Sequence, residues 1–196
     1  MFTDPQIIIK QDGEVIYYPC VFDEATSVQL LAKLVQDIEW QHDQVIMFGK
    51  QITTKRKVAW YAGEGISYTY AGKRKDPLPW AQVLLSIKEK VEKQTNANYN
   101  ACLLNLYHAG DEGMSWHRDN EKEIVPESSI ASVSFGATRK FSFKHVSEEK
   151  KVEVMLESGS ILDMRGPIQQ HWYHALPPSK KVKDLRVNLT FRLLIK

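Results

Sequence analysis

Two side chains with metal-binding chemistry stand two residues apart near the middle of the chain, in the run His117-Arg118-Asp119. Residues i and i+2 of a β-strand point to the same face, so the His117 imidazole and the Asp119 carboxylate can converge on one ion. Together they supply two of the three ligands of a 2-His-1-carboxylate triad, which leaves open positions on a non-haem Fe(II) ion. Since a His-x-Asp run also arises by chance as a surface ion pair, a third ligand is needed.

The third ligand is expected to be a histidine on another strand, and the run HWYHALP offers His171 and His174. Both lie at workable distances along the chain, so spacing does not choose between them. Zinc is the rival metal. Two histidines and one aspartate without cysteine fit a redox-active iron site at least as well, and the protein ligands alone leave the metal open.

A polar face is predicted on the last strand of the chain. Arg186 and Arg192 are six residues apart and share one face of a regular strand with Thr190, while the alternate residues are apolar. One interpretation is a solvated face. The other is a pocket for a dicarboxylate such as 2-oxoglutarate, because arginine binds carboxylates in a bidentate manner. One carboxylate would then meet an arginine while the other chelates the metal.

The elements that must position these residues are two helices followed by many short strands. Apolar residues at helical spacing predict helices over about 30–38 and 80–91, with Pro79 in the first turn of the second helix. Runs of β-branched and aromatic residues predict strands at 15–18, 103–107, 130–135, 140–145, 152–156, 160–164 and 187–195. This order predicts an α+β fold in which antiparallel sheets form a sandwich or barrel.

The composition limits the class of protein. The chain has 196 residues, 43% of them hydrophobic and 26% charged, without repeats or low-complexity linkers, which predicts a single domain over residues 1–196. Two cysteines exclude a disulfide scaffold and a four-cysteine zinc site. No apolar run reaches the roughly 20 residues that span a bilayer, and the N-terminus does not resemble a secretory signal. We therefore expect a reducing compartment and no membrane partner.

The small formal net charge of +2 conceals a strongly basic segment. Between Lys50 and Lys75 the chain carries seven basic residues against one acid, Glu64, which gives a local charge of +6. Aromatic residues lie within and beside the segment. Because basic groups bind phosphates and aromatic rings stack on bases, it is either a solvated loop or a nucleic-acid surface.

Four separated motifs resemble those of one known family, the AlkB family of Fe(II)/2-oxoglutarate-dependent nucleic-acid dealkylases. They are NLYHAGDEGMSWHRDNE, IASVSFGATRKFSFKH, HWYHALP and RVNLTFR, in this order. The resemblance extends from about Phe48 to the C-terminus, and the nearest members are the short bacterial ones and the animal double-strand DNA repair branch. It implies a double-stranded β-helix (jelly-roll) core over about 100–196 and a β-rich nucleotide-recognition lid over about 45–78, to which the apolar periodicity adds N-terminal helices.

The resemblance also implies roles for individual residues. The family's iron ligands match His117, Asp119 and His174. Since His174 lies twelve residues before Arg186, at the family's ligand position, His171 would only pack beside or support the site. The side chains that bind 2-oxoglutarate in the family match Asn105, Tyr107, Arg186, Thr190 and Arg192. Arg192 is the one expected to hold the distal carboxylate, the one farther from the metal.

For substrate binding the resemblance points to the lid and to the residues directly after Asp119. The matching residues are Phe48, Gly49, Lys50, Arg56, Tyr68, Thr69, Tyr70, Asn120 and Glu121. Phe48 stands in a turn whose aromatic side chain can enter the base stack when the damaged base is flipped out of the duplex. Two positions depart from close relatives: Asn120 stands where many have a second aspartate, and Ala71 stands where they have a small polar residue. Both bear on lesion preference, and neither touches the metal.

The implied function is oxidative demethylation of N-alkylated bases such as 1-methyladenine and 3-methylcytosine in DNA. It would use Fe(II), 2-oxoglutarate and O2 and release succinate, CO2 and formaldehyde. The alternatives are the same chemistry on RNA such as tRNA, a non-catalytic jelly-roll that binds nucleic acid, and a protein hydroxylase, which the basic lid disfavours. We expect a monomer that acts on alkylated DNA in the cytoplasm, at the nucleoid if bacterial, or in the nucleus if eukaryotic.

Overall fold

The structure, a computed structural model, describes residues 4–47, 50–66, 68–70, 73–75 and 77–195. It begins with a hairpin of β1 (Gln6–Ile9) and β2 (Glu14–Tyr18), followed by helix α1 (Glu24–Asp37). The later elements are β3 (Gln41–Met47), β4 (Lys50–Ala62), β5 (Tyr68–Tyr70), β6 (Lys73–Lys75), α2 (Gln82–Thr95), β7 (Ala101–Tyr107), β8 (Met114–His117), β9 (Ile130–Gly136), β10 (Arg139–His145), β11 (Lys151–Leu156), β12 (Ser160–Arg165), α3 (Ile168–His171), β13 (Trp172–Leu176) and β14 (Arg186–Arg192).

Two antiparallel sheets enclose the interior. The large sheet has the order β1-β2-β12-β9-β14-β7-β4-β3, and the small sheet has the order β11-β10-β13-β8. Strands β7 to β14 divide four and four between them, as in a jelly-roll. Apolar residues from both sheets, among them Leu162 and Phe143, belong to one buried cluster. The predicted α+β fold with a jelly-roll core is therefore confirmed.

Helices cover the outer face of the large sheet. Leu34 of α1 and Leu84 of α2 share a second buried cluster with Val187, Leu189 and Phe191 of β14. Because alternate residues of a strand face opposite ways, the polar residues of β14 must face the small sheet. All seven residues of β14 are buried, so its arginines lie inside the protein. In the part of the chain that the structure describes, no helix has the length and apolar content needed to cross a bilayer.

The second helix begins later than predicted. It starts at Gln82 after the N-cap Ala81, so the prediction that Pro79 lies in its first turn is wrong. The backbone of Leu78 instead pairs with β4, and its N–H donates to the Trp60 carbonyl at 2.9 Å. This pairing delays the helix until the chain has left the sheet.

The segment predicted as a lid contains a hairpin and a two-stranded ribbon. Strand β4 pairs with β3 over its first part and with β7 from Lys57 to Ala62. The ribbon consists of β5 and β6. The hairpin is thus a continuation of the large sheet, anchored next to the strand that carries Asn105 and Tyr107.

Candidate metal centre and co-substrate pocket

Three potential metal ligands meet between the two sheets. His117 ends β8 and His174 lies opposite it on β13, while Asp119 follows β8 by two residues. Their ligand atoms all lie within 4.8 Å of one another. The Nε2 atoms of the two histidines are 3.1 Å apart, and His117 Nε2 is 4.0 Å from Asp119 Oδ1. Of the two histidines that the sequence offered, the structure brings His174 to this cluster and places His171 in another.

Hydrogen bonds behind the ligands set their orientation. The Ser115 carbonyl can only accept, so His117 Nδ1, 2.7 Å away, carries the proton and Nε2 presents its lone pair to the cluster. The predicted convergence of His117 and Asp119 is confirmed, but Asp119 lies two residues beyond the end of β8, so strand periodicity is not what produces it. The Asp119 backbone N–H instead donates to Gln169 Oε1 at 3.0 Å, which holds this segment against α3.

The charges around the cluster favour the protonation states that bind a metal. Burial alone would raise the pKa of Asp119, but Arg192 and the two histidines outweigh it and lower the pKa to about 2. The Arg192 Nη2 atom lies 2.8 Å from Asp119 Oδ2. Burial, assisted by the neighbouring His117, lowers the pKa of His174 to about 3. At neutral pH Asp119 is therefore a carboxylate and His174 a neutral imidazole, the forms that bind a divalent ion.

The donor set fits the metal that the sequence suggests. Two imidazoles and one carboxylate, all from one chain, form the 2-His-1-carboxylate set of non-haem Fe(II) sites. The cluster lies at a cavity, so further coordination positions face open space. These residues would therefore hold Fe(II) and leave room for a chelating co-substrate.

A cavity of about 200 Å³ adjoins the metal ligands. Polar side chains from β7 and β14 line one side of it, and apolar residues such as Met164 and Leu176 line others. The two strands are neighbours, with Asn105 opposite Asn188 in the ladder. The polar lining contributed by these strands is Asn105, Tyr107, Arg186, Asn188, Thr190 and Arg192. The predicted pocket, rather than a solvated face, is what the structure contains.

Two buried polar atoms of this lining lack a partner. Among the residues that the structure describes, Asn105 Oδ1 and Arg186 Nε are buried and make no hydrogen bond. Such an atom costs about 1–3 kcal/mol unless a ligand or water satisfies it. Burial lowers the pKa of Arg186 to about 10, which still leaves it a cation at neutral pH. An amide, which can turn its NH2 group towards the cavity, and a buried cation are suitable partners for a carboxylate.

The two arginines of β14 occupy different parts of the site. Arg192 contacts the metal ligand Asp119, so the expectation that it holds the distal carboxylate does not fit its position. Arg186 lies six residues away on the same strand, roughly 20 Å between Cα atoms. Its Nη2 atom donates to Ser134 Oγ at 2.9 Å, and its guanidinium carbon lies 5.6 Å from the centre of the Tyr107 ring. Arg186 is therefore the arginine at the end of the cavity away from the metal.

The residues predicted to bind the base are described in part. Phe48, Gly49 and Ala71 lie outside the described residues. Glu121 lines the cavity, whereas Asn120 is exposed and does not contribute to its lining. Four more are placed by their backbone in β4 and β5, and their side chains lie outside the description: Lys50, Tyr68, Thr69 and Tyr70.

Arg56, predicted to bind substrate, is buried in the protein. It is 6% exposed, and its Nη2 atom lies 2.5 Å from Asp43 Oδ2. Its Nη1 atom lies 3.3 Å from the sulfur of Met114, which lines the cavity. One of the basic charges of the lid segment is thus matched by a carboxylate within the fold, and Arg56 is placed to support the cavity wall rather than a phosphate.

Sequence reasoning missed the residues that support the β14 side chains. Asn188 Nδ2 donates to Ser132 Oγ at 2.7 Å, and Thr190 Oγ1 donates to Asn188 Oδ1 at 3.2 Å. Ser134 Oγ accepts a hydrogen bond from Arg186 Nη2. The signal was present in the run IASVSFG, where two serines at i and i+2 interrupt an otherwise apolar strand. Polar residues at that period in a buried strand mark a shared inner face.

Comparison with known proteins agrees with this site. A model of the 2OG-Fe(II) oxygenase superfamily matches residues 14–192. The DNA oxidative demethylase ALKBH2 of Homo sapiens is 38% identical over 198 residues, which cover 95% of this chain and 76% of that protein. The alpha-ketoglutarate-dependent dioxygenase alkB homolog 3 of Rattus norvegicus is 31% identical and is covered to 75%, with 98% of this chain. The solved structure of OsALKBH1 aligns over 96% of this chain and 100% of its own, with a TM-score of 0.66 at 15% identity, and this supports the fold.

Proposed function

The chain belongs to the AlkB family of the 2OG-Fe(II) oxygenase superfamily, and we propose that it oxidatively demethylates alkylated bases in DNA. It is an Fe(II)- and 2-oxoglutarate-dependent oxygenase. The activity on DNA is the one named for its ALKBH2 relatives. The observation that carries the proposal is the junction of the His117–Asp119–His174 cluster with a cavity lined by buried arginines.

The iron and its co-substrate have separate partners in this site. When bound, Fe(II) supplies the O2 activation that is coupled to decarboxylation of 2-oxoglutarate to succinate and CO2. We propose that Arg186 and Tyr107, which are paired at the end of the cavity away from the metal, bind the distal carboxylate, and that Asn105, opposite Asn188 in the same wall, also hydrogen-bonds 2-oxoglutarate. Arg192 holds Asp119 as an anion, and Thr190 adds a hydroxyl to the same wall.

N1-methyladenine and N3-methylcytosine are the proposed substrates. Their methyl groups lie on the Watson–Crick edge, so the base must leave the duplex before the methyl group can approach the metal, and its weakened pairing lowers that cost. Oxidation of the N-methyl carbon by one atom of O2 releases it as formaldehyde and restores N–H or the free ring nitrogen. The second oxygen atom leaves in succinate.

The lid segment is the proposed base-binding surface. Its hairpin contains β4, which pairs with β7 in the large sheet. Between Lys50 and Lys75 the segment has a local charge of +6. We propose that Tyr68, Thr69 and Tyr70 surround the flipped base, that Glu121 reads its edge from within the cavity with Asn120 beside it, and that the remaining lid residues contact the DNA strand. The latter are Phe48, Gly49 and Lys50.

We further propose that the protein acts as a monomer at chromosomal DNA. All three metal ligands come from one chain, so the site does not need a second copy. In a bacterial cell this places the enzyme in the cytoplasm at the nucleoid, and in a eukaryotic cell it places it in the nucleus.

The test is repair of oligonucleotides that carry one 1-methyladenine or 3-methylcytosine, with the protein loaded with Fe(II) under anaerobic conditions before O2 is added. Mass spectrometry should show loss of the methyl group in the presence of 2-oxoglutarate. The same lesion in single-stranded DNA, duplex DNA and RNA of one sequence compares the substrates directly. Retention of the methyl group in both DNA substrates would contradict the proposed function, and faster repair of RNA would transfer it to RNA.

A further inference from the structure

A second group of potential metal ligands lies at the edge of the small sheet, outside the co-substrate cavity. Asp12 belongs to the turn between β1 and β2, His145 ends β10, and His171 ends α3 directly before β13. Their ligand atoms all lie within 4.8 Å of one another. We propose that these three residues bind a second divalent transition-metal ion such as Zn²⁺.

His145 is the central ligand of this site. Its side chain is 4% exposed, and its Nε2 atom lies 3.1 Å from Asp12 Oδ2. Zinc binds nitrogen and oxygen at about 2.0–2.2 Å, so two ligands of one ion stand roughly 3 Å apart, which this pair already does. The His145 and His171 rings lie within 11° of parallel with their centres 6.2 Å apart. The half-buried His171 offers a ring nitrogen within 4.8 Å of the other two ligand atoms and completes the set.

The other ring nitrogen of His145 has its own partner, Ser147. Its Nδ1 atom accepts a hydrogen bond from the Ser147 backbone N–H at 3.4 Å, so in the metal-free protein Nε2 carries the proton and donates to Asp12 Oδ2. An ion that binds at Nε2 requires this proton to move to Nδ1, where Ser147 Oγ, 3.5 Å away, can accept it.

The segments that carry the ligands are tied together by their own hydrogen bonds. The Val146 N–H donates to the His171 carbonyl at 2.8 Å, and Trp172 Nε1 donates to the Gln11 carbonyl at 3.0 Å. The positions of the ligands therefore depend on the packed sheet rather than on free loops.

The chemistry of the donors selects the class of ion. Two imidazoles and one carboxylate suit Zn²⁺ and similar transition metals, whereas Mg²⁺ prefers sites made of oxygen. The Asp12 side chain is 41% exposed, so water can complete the coordination. A bound ion would fasten the β1–β2 hairpin to the strand that carries the iron ligand His174, and its expected effect is on stability.

The experiment measures Zn²⁺ binding by calorimetry in a His117→Ala/Asp119→Ala variant, which removes two ligands of the iron site. We expect one equivalent of Zn²⁺ to bind, Mg²⁺ not to bind, and Zn²⁺ to raise Tm by roughly 5–10 °C at saturating concentration. X-ray absorption at the zinc edge should show imidazole ligands.

Added to that variant, Asp12→Asn should weaken Zn²⁺ binding at least roughly tenfold. Asparagine tolerates the left-handed backbone of Asp12, whose φ is 52°, so the turn is preserved. His171→Ala, at a half-buried position, should have the same effect. The matched control is Glu148→Gln, which removes a nearby carboxylate that accepts a hydrogen bond from Gln11 at 2.8 Å.

The outcomes separate the proposal from adventitious binding. Absence of Zn²⁺ binding in the iron-site variant would overturn it. So would binding that Asp12→Asn and His171→Ala leave unchanged, or that Glu148→Gln weakens as strongly as they do.

Discussion

Individual residues of the metal centre make the metal-free protein sensitive to acid. Burial lowers the pKa of His174 to about 3 from an ordinary 6.5, so between these values the unfolded chain binds a proton that the folded chain does not. The free energy of unfolding should therefore fall with falling pH in this range, by up to about 1.4 kcal/mol per pH unit. Asp119, with its pKa lowered to about 2 from 3.8, adds a loss of the same sign in stronger acid.

Urea unfolding of the metal-free protein at several pH values between those limits measures this slope. In a His174→Gln variant this histidine makes no contribution. The free energy of unfolding of the variant should therefore depend less steeply on pH, by up to about 1.4 kcal/mol per pH unit. An equal pH dependence of unfolding in the unsubstituted protein and in the variant would contradict the lowered pKa of His174.

The two arginines of β14 should respond differently to substitution. Arg186→Gln should raise the KM for 2-oxoglutarate at least about tenfold, because a charge-assisted hydrogen bond in a buried site is lost. Arg192→Gln should chiefly weaken Fe(II) binding, because Arg192 contacts the ligand Asp119. Steady-state kinetics over 2-oxoglutarate and an Fe(II) titration separate the two effects. The reverse pattern would indicate that Arg192, and not Arg186, binds the distal carboxylate of 2-oxoglutarate.

At this scale the sequence predicted residue types better than their partners. The His117-x-Asp119 spacing and the alternating polar face of β14 pointed to a metal and a carboxylate pocket, but a surface ion pair and a solvated face stayed open until the family resemblance was added. The choice of His174 over His171 from the residues alone was not possible, since it depends on how β13 pairs with β8. The partners of Arg56 and Arg192 come from distant parts of the chain, and spacing carries no information about them.

Among the elements, the turn between β11 and β12 positions the first helix. Gly159 has φ of +79°, and a Cβ there would lie 2.2 Å from the Phe22 carbonyl, next to the start of α1. Gly159→Ala should therefore destabilise the protein by about 3 kcal/mol or more, through backbone strain and the clash together.

Gly65 provides the matched control, because its φ is +80° and a Cβ there meets no atom within 4 Å. Gly65→Ala should cost only about 1–2 kcal/mol, the cost of the left-handed backbone. Chemical denaturation of both variants gives the comparison. Equal losses of stability would show that the contact between Gly159 and the Phe22 segment is unimportant.

The elements themselves were largely predictable where one periodicity dominates. Strands β9, β12 and β14 were identified, because they are rich in β-branched and apolar residues, which in β14 alternate with polar ones. Strand β8, with the sequence MSWH, was not, because it has four residues of mixed polarity and exists through its pairing with β13. Helix α2 was placed, but its start was missed because a tertiary contact of Leu78 decides it.

For the molecule as a whole, the uneven charge predicts binding of DNA that depends on salt. The lid segment carries Lys73, Arg74 and Lys75 in succession. If these three contact phosphates, changing all of them to Gln should reduce the slope of log K against log salt by roughly 2 for single-stranded DNA. Fluorescence anisotropy with a labelled oligonucleotide at several salt concentrations measures it.

A control with the same loss of charge is available in the loop before β14. Lys180, Lys181 and Lys183 are exposed there, and their joint replacement by Gln should change the slope much less. A larger change in the slope for these three lysines than for the three lid residues would indicate that DNA binds outside the lid.

The most direct test of the account is whether the decarboxylation of 2-oxoglutarate is coupled to the removal of the methyl group from the base. With Fe(II), O2 and 2-oxoglutarate, we predict that an oligonucleotide containing 1-methyladenine yields succinate and formaldehyde in equal amounts. The unmethylated oligonucleotide should yield no formaldehyde, and a folded His174→Ala variant should yield neither product. Succinate without formaldehyde on the methylated DNA, or full activity in the variant, would contradict the account.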